Sequence, residues 1–261
     1  MEERTMSTDL PRAVIFDLDN TLALAFEPLS KETARGLRDL LARIPVAIMS
    51  GATLSRMEQY VLPELPKDTN LQNLYLFPDT CACCYVWKEG AWARAYSYTF
   101  TNEEFKEIVS TLEEGIRKTG ICDDAPQWGE RILARKNQVT FAGIGVDAPA
   151  PEKRAWDPDR SKRSKLKKFL DERLRGFDIR ISSRTAIDIT KSGVDKARGV
   201  RWLAKHIGVE PKAMLFVGDD LKPGGNDAMV IPTEIKTRQT SGPEETARII
   251  EELCTACKTR K

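Results

Sequence analysis

Residues 13–21 read AVIFDLDNT, and this stretch decides the fold. The apolar run AVIF (13–16) is long enough for a buried strand and too short for a helix. Side chains two apart on extended backbone point the same way. Asp17 and Asp19 therefore share one side at the strand's carboxyl end, the edge at which open α/β sheets bind ligands. Two carboxylates this close repel each other unless a cation or a shared proton intervenes. Mg²⁺ meets that need, because it prefers hard oxygen ligands and accompanies phosphate substrates. The competing reading is a pair of turn aspartates after a strand, and the motif alone does not separate the two.

A second apolar run ending in acids lies roughly 200 residues on. MLFV (214–217) is followed by Gly218-Asp219-Asp220 and then Gly224-Gly225-Asn226-Asp227, with glycines that permit close backbone approach. If the two strands are neighbours, Asp219 completes a cation site, and Asp227 holds the loop or a metal-bound water. Ser50-Gly51 follows VAIM (46–49), a third strand end, and offers a hydroxyl and an N–H to an anion. Lys196 opens the helix after AIDIT (186–190), where a cation neutralises charge on a phosphate.

Between these points strands and helices alternate. Ser30 is placed to cap a helix with Ala34, Leu37, Leu41 and Ile44 on one face, and Pro45 ends it before VAIM. Thr53 to Tyr60 reads as helix and NLYLF (73–77) as strand, a repetition that favours a parallel sheet with helices on both faces. Residues 85–100 have the aromatic alternation of a hairpin turned at Glu89-Gly90. A helix over 102–117, strands at 139–146, 179–182 and 186–190, and a helix starting at Asp157-Pro158 follow. Helix at 195–207, strand at 214–217 and helix at 243–255 close the chain. The expectation is an α/β core from 1–84 and 191–261, with an α+β insert at 85–190.

Composition narrows the function. In 261 residues, 41 Lys+Arg face 39 Asp+Glu, so no broad cationic surface exists for nucleic acid. The basic run KRSKLKK (162–168) reads as a solvated helix face. No stretch approaches a membrane span, and the charged opening MEERTMSTDLPR lacks the apolar region of a secretory signal, which places the protein in the cytoplasm. The one histidine, His206, sits in a helical stretch and reads as a surface or helix-end residue; chemistry needing two imidazoles is excluded. Cys81, Cys83, Cys84, Cys122, Cys254 and Cys257 are expected to be thiols, since CACC and the late CxxC make a poor match to paired zinc knuckles.

At DLDNT, Ser50, Lys196 and GDD…GGND the sequence resembles the four motifs of the haloacid dehalogenase superfamily of phosphotransferases. Within it, the order and spacing resemble the branch with an α+β cap between the second and third motifs, in particular the eukaryotic-type phosphomannomutase group and its bacterial hydrolase relatives. FVGDDLKPGGND and PEETARII carry that likeness most closely. The resemblance implies a Rossmann-like parallel-sheet core with Asp17 as nucleophile and Asp19 as general acid/base. It implies Mg²⁺ held by the Asp17 carboxylate, the Asp19 carbonyl and Asp219, with Asp220, Asn226 and Asp227 supporting the loop. Ser50, Gly51 and Lys196 would hold the transferring phosphoryl group. In the cap, Arg135 and Asp188 match substrate contacts.

Two departures bear on the reaction. Val146 stands where an arginine is expected, and the segment after the first motif, ALAFEPLS (23–30), lacks an expected basic residue. A sugar-phosphate mutase must grip a second phosphate, and each charge-assisted contact contributes roughly 1.5–3 kcal/mol. The expectation is therefore a Mg²⁺-dependent phosphatase acting on a small phosphorylated metabolite, a sugar phosphate, with phosphomannomutase as the alternative. A binding protein on the same scaffold is disfavoured by the intact acidic set. Cap-mediated dimers occur in the mutase group, which leaves a homodimer open.

Overall fold

The computed structural model describes residues 10–259, so the opening stretch read for a leader lies, through Asp9, outside the described residues. The first strand, β1 (Val14–Asp17), is buried along its whole length. Ser30 then caps α1 (Lys31–Leu41), its side chain accepting from the Thr33 N–H at 3.0 Å. After Pro45 comes β2 (Val46–Met49), and Thr53 caps α2 (Leu54–Tyr60) by accepting from the Arg56 N–H. β3 (Leu74–Phe77) leads into a hairpin, β4 (Cys83–Lys88) and β5 (Ala91–Ser97). Glu89 and Gly90 both have positive φ, at 52° and 82°, which matches the right-handed twist of the flanking strands.

The chain continues through α3 (Asn102–Thr119), β6 (Ile132–Ala134), β7 (Val139–Ala142) and α4 (Ala150–Trp156). Then come α5 (Ser161–Asp171), β8 (Phe177–Ser182) and β9 (Ala186–Lys191). It closes with α6 (Lys196–Ile207), β10 (Leu215–Gly218), β11 (Lys236–Gln239) and α7 (Pro243–Thr259). The main sheet runs β11-β10-β1-β2-β3-β4-β5, parallel through β3 and antiparallel in the hairpin. Alternate residues of its strands serve opposite faces. Val14, Phe16, Val46 and Ile48 pack with Leu37, Leu40, Met57, Ile249 and Ile250 from α1, α2 and α7. Ile15, Ala47 and Met49 pack with Val200 and Leu203 of α6. A separate antiparallel sheet, β6-β7-β9-β8, is covered by Ile108 and Leu112 of α3 and by Leu166 and Leu170 of α5.

The element order agrees with the sequence, and the differences have local causes. The hairpin does not join the second sheet. β4 pairs with the exposed edge of β3 through Tyr75–Val86 and Leu76–Tyr85, so the chain stays on the main sheet through Ser97, and the boundary read at 84/85 falls inside a strand. An alternating strand fits any open sheet edge, and its pattern does not say which one. The third middle strand stops at Ala142 rather than reaching 146. β11, exposed at every position but the half-buried Arg238, had no apolar run to announce it.

The helix read from Asp157 starts only at Ser161, because Asp157 is spent on its turn. Its carboxylate accepts from the Lys162 and Arg163 N–H groups and pairs with the Arg163 guanidinium at 2.7 Å. Arg163 is 2% exposed and Leu166 is buried, so the run turns its serine and lysines toward solvent and these two side chains inward. His206 is exposed at the end of α6 and stacks on Trp202. Cys81, Cys83, Cys84 and Cys254 are buried, and among the described residues the candidate metal ligands that cluster are carboxylates, not thiols. Among the described residues no helix is long and apolar enough to cross a membrane.

Removing one member of a buried ion pair strands the other charge. Asp157→Ala is accordingly expected to lower the unfolding free energy by about 3–5 kcal/mol in urea titrations, whereas truncating exposed Lys162 is expected to change it by no more than about 0.5 kcal/mol.

Candidate active site

Three neighbouring strands deliver the polar residues to one edge. β1 is central, and its register sets Phe16 beside Val217 and Asp17 beside Met49. Asp17 is thus flanked by the end of β10, one step before Asp219, and by the end of β2, one step before Ser50. Gly218 is required where it stands, since a Cβ there would collide with the Asp227 carboxylate. On the facing side, Asp195 caps α6 by accepting from the Arg198 N–H, and Lys196 at the helix start points into the same edge.

The centre is an ammonium between carboxylates. Lys196 Nζ donates to Asp17 Oδ1 and to Asp227 Oδ1 at 2.5 Å each, from a side chain only 2% exposed. Asp17, Asp219 and Asp227 each bring an oxygen within 4.8 Å of the others. Three carboxylates against one ammonium leave two negative charges in excess, which one divalent cation would neutralise. Burial pushes the Lys196 ammonium toward losing its proton, but Asp17 and Asp227 outweigh this and raise its pKa. Asp17 is pushed well above the ordinary carboxylate range, first by burial, against the pull of Lys196 and with the charge of Asp227 adding to it. Asp219 is pushed up to about 6, first by burial and then by Asp227. A carboxylate cluster so reluctant to ionise by itself fits a hard divalent cation such as Mg²⁺.

The loop after β10 braces this centre. Asp227 accepts from Lys196 on one oxygen and from the Asp220 N–H on the other, so it anchors both the lysine and the loop. Asp220 in turn accepts from the Asn226 N–H, and Thr21 donates to Asp219 at 3.3 Å. Ser50 accepts from the Ala52 N–H and lies 3.5 Å from Asp19 Oδ2. Asp19, by contrast, turns its carboxylate away from the three-acid cluster and onto Arg56, whose Nη2 and Nη1 donate to it at 2.5 and 3.3 Å.

The second sheet contributes the opposite wall at Gly51. Arg135 pairs with Asp79 at 3.0 Å and approaches the Gly51 carbonyl at 3.5 Å. Asp188 accepts from Gln138 and Thr140 on one oxygen, and its other oxygen would lie 3.4 Å from a Cβ on Gly51. The structure therefore brings together Asp17, Asp219, Asp227 and Lys196, sets Ser50 and Gly51 beside them, and carries Arg135 and Asp188 to the same cleft. Sequence reasoning missed Arg56, Asp79, Gln138 and Lys153, which with Arg56 lies over the Phe26 ring. Arg56 sits six residues beyond Ser50 with nothing in its neighbours to mark it, and the other three acquire meaning only through contacts across the chain.

Comparison with known proteins matches this picture. Residues 147–228 match the family model described as haloacid dehalogenase-like hydrolase. A phosphomannomutase of Galdieria sulphuraria is 24% identical over 96% of this chain and 97% of its own length. A phosphomannomutase of Spinacia oleracea is 23% identical over 92% and 94%. The chain is thus similar, along nearly its whole length, to phosphoryl-transfer enzymes of the haloacid dehalogenase type. It is accordingly an enzyme of phosphoryl transfer, a hydrolase or a mutase. Solved structures share the fold: a haloacid dehalogenase-like hydrolase from Bacteroides thetaiotaomicron superposes with a TM-score of 0.62 at 16% identity, covering 93% of this chain and 99% of that one. The IMP-nucleotidase of Plasmodium falciparum gives 0.66 at 14%, covering 94% and 68%.

Two outcomes are expected. Lys196→Met removes the cation shared by two buried acids and is expected to cost about 3–5 kcal/mol at pH 7. That loss should shrink as pH is lowered and Asp17, held above the ordinary carboxylate range first by burial, takes up a proton; thermal melts at neutral and acidic pH check it. Asp219 binds its proton more tightly folded than unfolded, so without metal its contribution to stability falls as pH rises from about 4 to about 6. Asp219→Asn should abolish that part of the decline. Added Mg²⁺ should raise the melting temperature of the unsubstituted protein more at pH 7 than at pH 4.5.

Proposed function

We propose that this chain is a Mg²⁺-dependent cytoplasmic phosphatase that hydrolyses a small phosphorylated metabolite, a sugar phosphate, through an aspartyl phosphate on Asp17. The observation that carries the reading is the convergence of Asp17, Lys196 and Asp219 at one sheet edge, next to Ser50 and Gly51. Asp17, Asp219 and the Asp19 carbonyl would hold Mg²⁺, which would supply charge neutralisation for the phosphoryl oxygens.

The chain's own groups divide the remaining work. An Asp17 carboxylate oxygen attacks phosphorus in line with the leaving oxygen, so a P–O bond to Asp17 forms as the bond to the sugar oxygen breaks. Asp19 gives its proton to that oxygen, then takes one from the water that cleaves the aspartyl phosphate, releasing inorganic phosphate and restoring Asp17. The Lys196 ammonium, the Ser50 hydroxyl and the Gly51 N–H orient the phosphoryl oxygens, and positioning of this kind accounts for most of phosphoryl-transfer catalysis. Arg56 sets the Asp19 carboxylate in place, and Asp188 with Gln138 offers acceptors and donors to sugar hydroxyls.

The second reading is a phosphomannomutase, favoured by the names of relatives aligned along more than nine-tenths of this chain. It shares the step at Asp17 but passes the phosphoryl group to a sugar hydroxyl. A screen of sugar phosphates with detection of free phosphate is expected to show Mg²⁺-dependent release, reduced at least about a thousand-fold by Asp17→Asn. Conversion of a sugar 1-phosphate to its 6-phosphate in the presence of a sugar bisphosphate, without phosphate release, would establish the mutase instead.

A further inference from the structure

Asp79, Thr80 and Cys81, in the turn after β3, have φ of 51°, 53° and 63° in succession. Each is left-handed backbone, which glycine adopts freely and a residue with a Cβ does not. Thr80, at φ 53° and ψ 41°, is β-branched, the type for which this conformation is most unusual. Backbone of this kind persists only where its surroundings fix it. Here the Tyr96 hydroxyl donates to the Cys81 carbonyl, and the Ala82 N–H to the Asp79 carbonyl, at 2.9 Å each. The Asp79 carboxylate takes Arg135 at 3.0 Å and the Asn137 amide at 3.1 Å, both from the turn between β6 and β7.

What the turn holds is the loop after β2. The Thr80 N–H donates to the Ser50 carbonyl and the Asp79 N–H to the Ala52 carbonyl, at 2.9 Å each. Successive N–H groups converge in such a turn, so two of them serve one loop. Ser50 donates its own N–H to the Phe77 carbonyl at 3.0 Å, and its N–H and C=O therefore both face β3. In a trans peptide the C=O and the following N–H point in opposite directions. The Gly51 N–H accordingly points away from β3, toward the β1 side of β2, where Asp17 stands. It has no acceptor of its own among the described residues. Thr80 thus fixes the direction of a donor that it does not touch.

We propose that Thr80 is a positioning residue for phosphoryl transfer: its N–H, held out by the left-handed turn 79–81, aims the Gly51 N–H at the phosphoryl group on Asp17. The proposal rests on the phosphoryl-transfer reading above and deepens it. A donor aimed before the substrate arrives stabilises charge developing on a phosphoryl oxygen without reorganising at that moment. The strain of three left-handed residues is the cost of keeping that aim, and the Asp79 contacts to Arg135 and Asn137 tie the turn to the opposite wall of the cleft.

The test removes one N–H. Replacing Thr80 by its α-hydroxy acid turns the amide between residues 79 and 80 into an ester and leaves the side chain in place. With para-nitrophenyl phosphate and Mg²⁺, kcat is expected to fall about ten-fold or more while KM changes no more than about two-fold. The rise in melting temperature caused by beryllium trifluoride with Mg²⁺, a mimic of the phosphoryl group on Asp17, should shrink, and the rise caused by Mg²⁺ alone should stay. Thr80→Asn keeps the N–H and tolerates left-handed backbone, so it should melt higher and hold kcat within about two-fold. An unchanged kcat in the ester, loss of its response to Mg²⁺ alone, or an equal fall in Thr80→Asn overturns the proposal. Failure of the hydrolase reading looks different: the unsubstituted protein would release no phosphate from para-nitrophenyl phosphate. Its response to beryllium trifluoride, compared with that of the ester, then decides on Thr80 alone, and no response in the unsubstituted protein refutes both.

Discussion

Lys196 reaches Asp17 and Asp227 at 2.5 Å each from a position sealed from water. Those three residues come from the first strand, the start of α6 and the loop after β10, so one ammonium ties together segments separated by most of the chain. Burying it and its partners is expensive, and apolar side chains of the same volume would often be no less stable. The triad is therefore understood through chemistry. It keeps a nucleophilic carboxylate next to a fixed positive charge in a place where phosphoryl oxygens arrive, and it leaves the acid cluster short of positive charge by the amount one divalent ion carries.

The sheet makes this arrangement possible. Parallel strands end together, and their ends present loops rather than side-chain faces, so acids that would repel one another in a strand interior collect where loops can turn them toward a cation. Short strands buried on both faces supply a rigid base: β1, β2 and β3 have four residues each and are buried throughout. The second sheet adds the opposite wall. Arg135, Asp188 and Gln138 meet the main sheet at Gly51, within ordinary contact of where a Cβ on that residue would stand in the case of Asp188 and Gln138.

Much of this was legible in the sequence. Asp17, Asp19, Ser50, Lys196 and Asp219 each follow an apolar run or open a capped helix, and local periodicity marks such places. The same local signals misled where a residue's partner was distant. Asp157 looked like a helix start because Asp-Pro begins many helices, whereas its carboxylate is held by Arg163 and its turn delays the helix to Ser161. The hairpin at 83–97 showed its alternation plainly, but alternation does not name the edge that a strand joins.

The sequence by itself determined the order of most strands and helices, though not β6, α4 or β11, the ends at which acids would gather and the chemical type of the residues there. These depend on neighbours a few positions away, through side-chain period, capping and the rigidity of proline. Tertiary structure alone decided that Asp19 faces Arg56, that Lys153 crosses to Phe26, and that Arg135 meets Asp79. Such pairings depend on how far apart folded segments come to rest, and a charged side chain carries no local mark of the partner that will neutralise it.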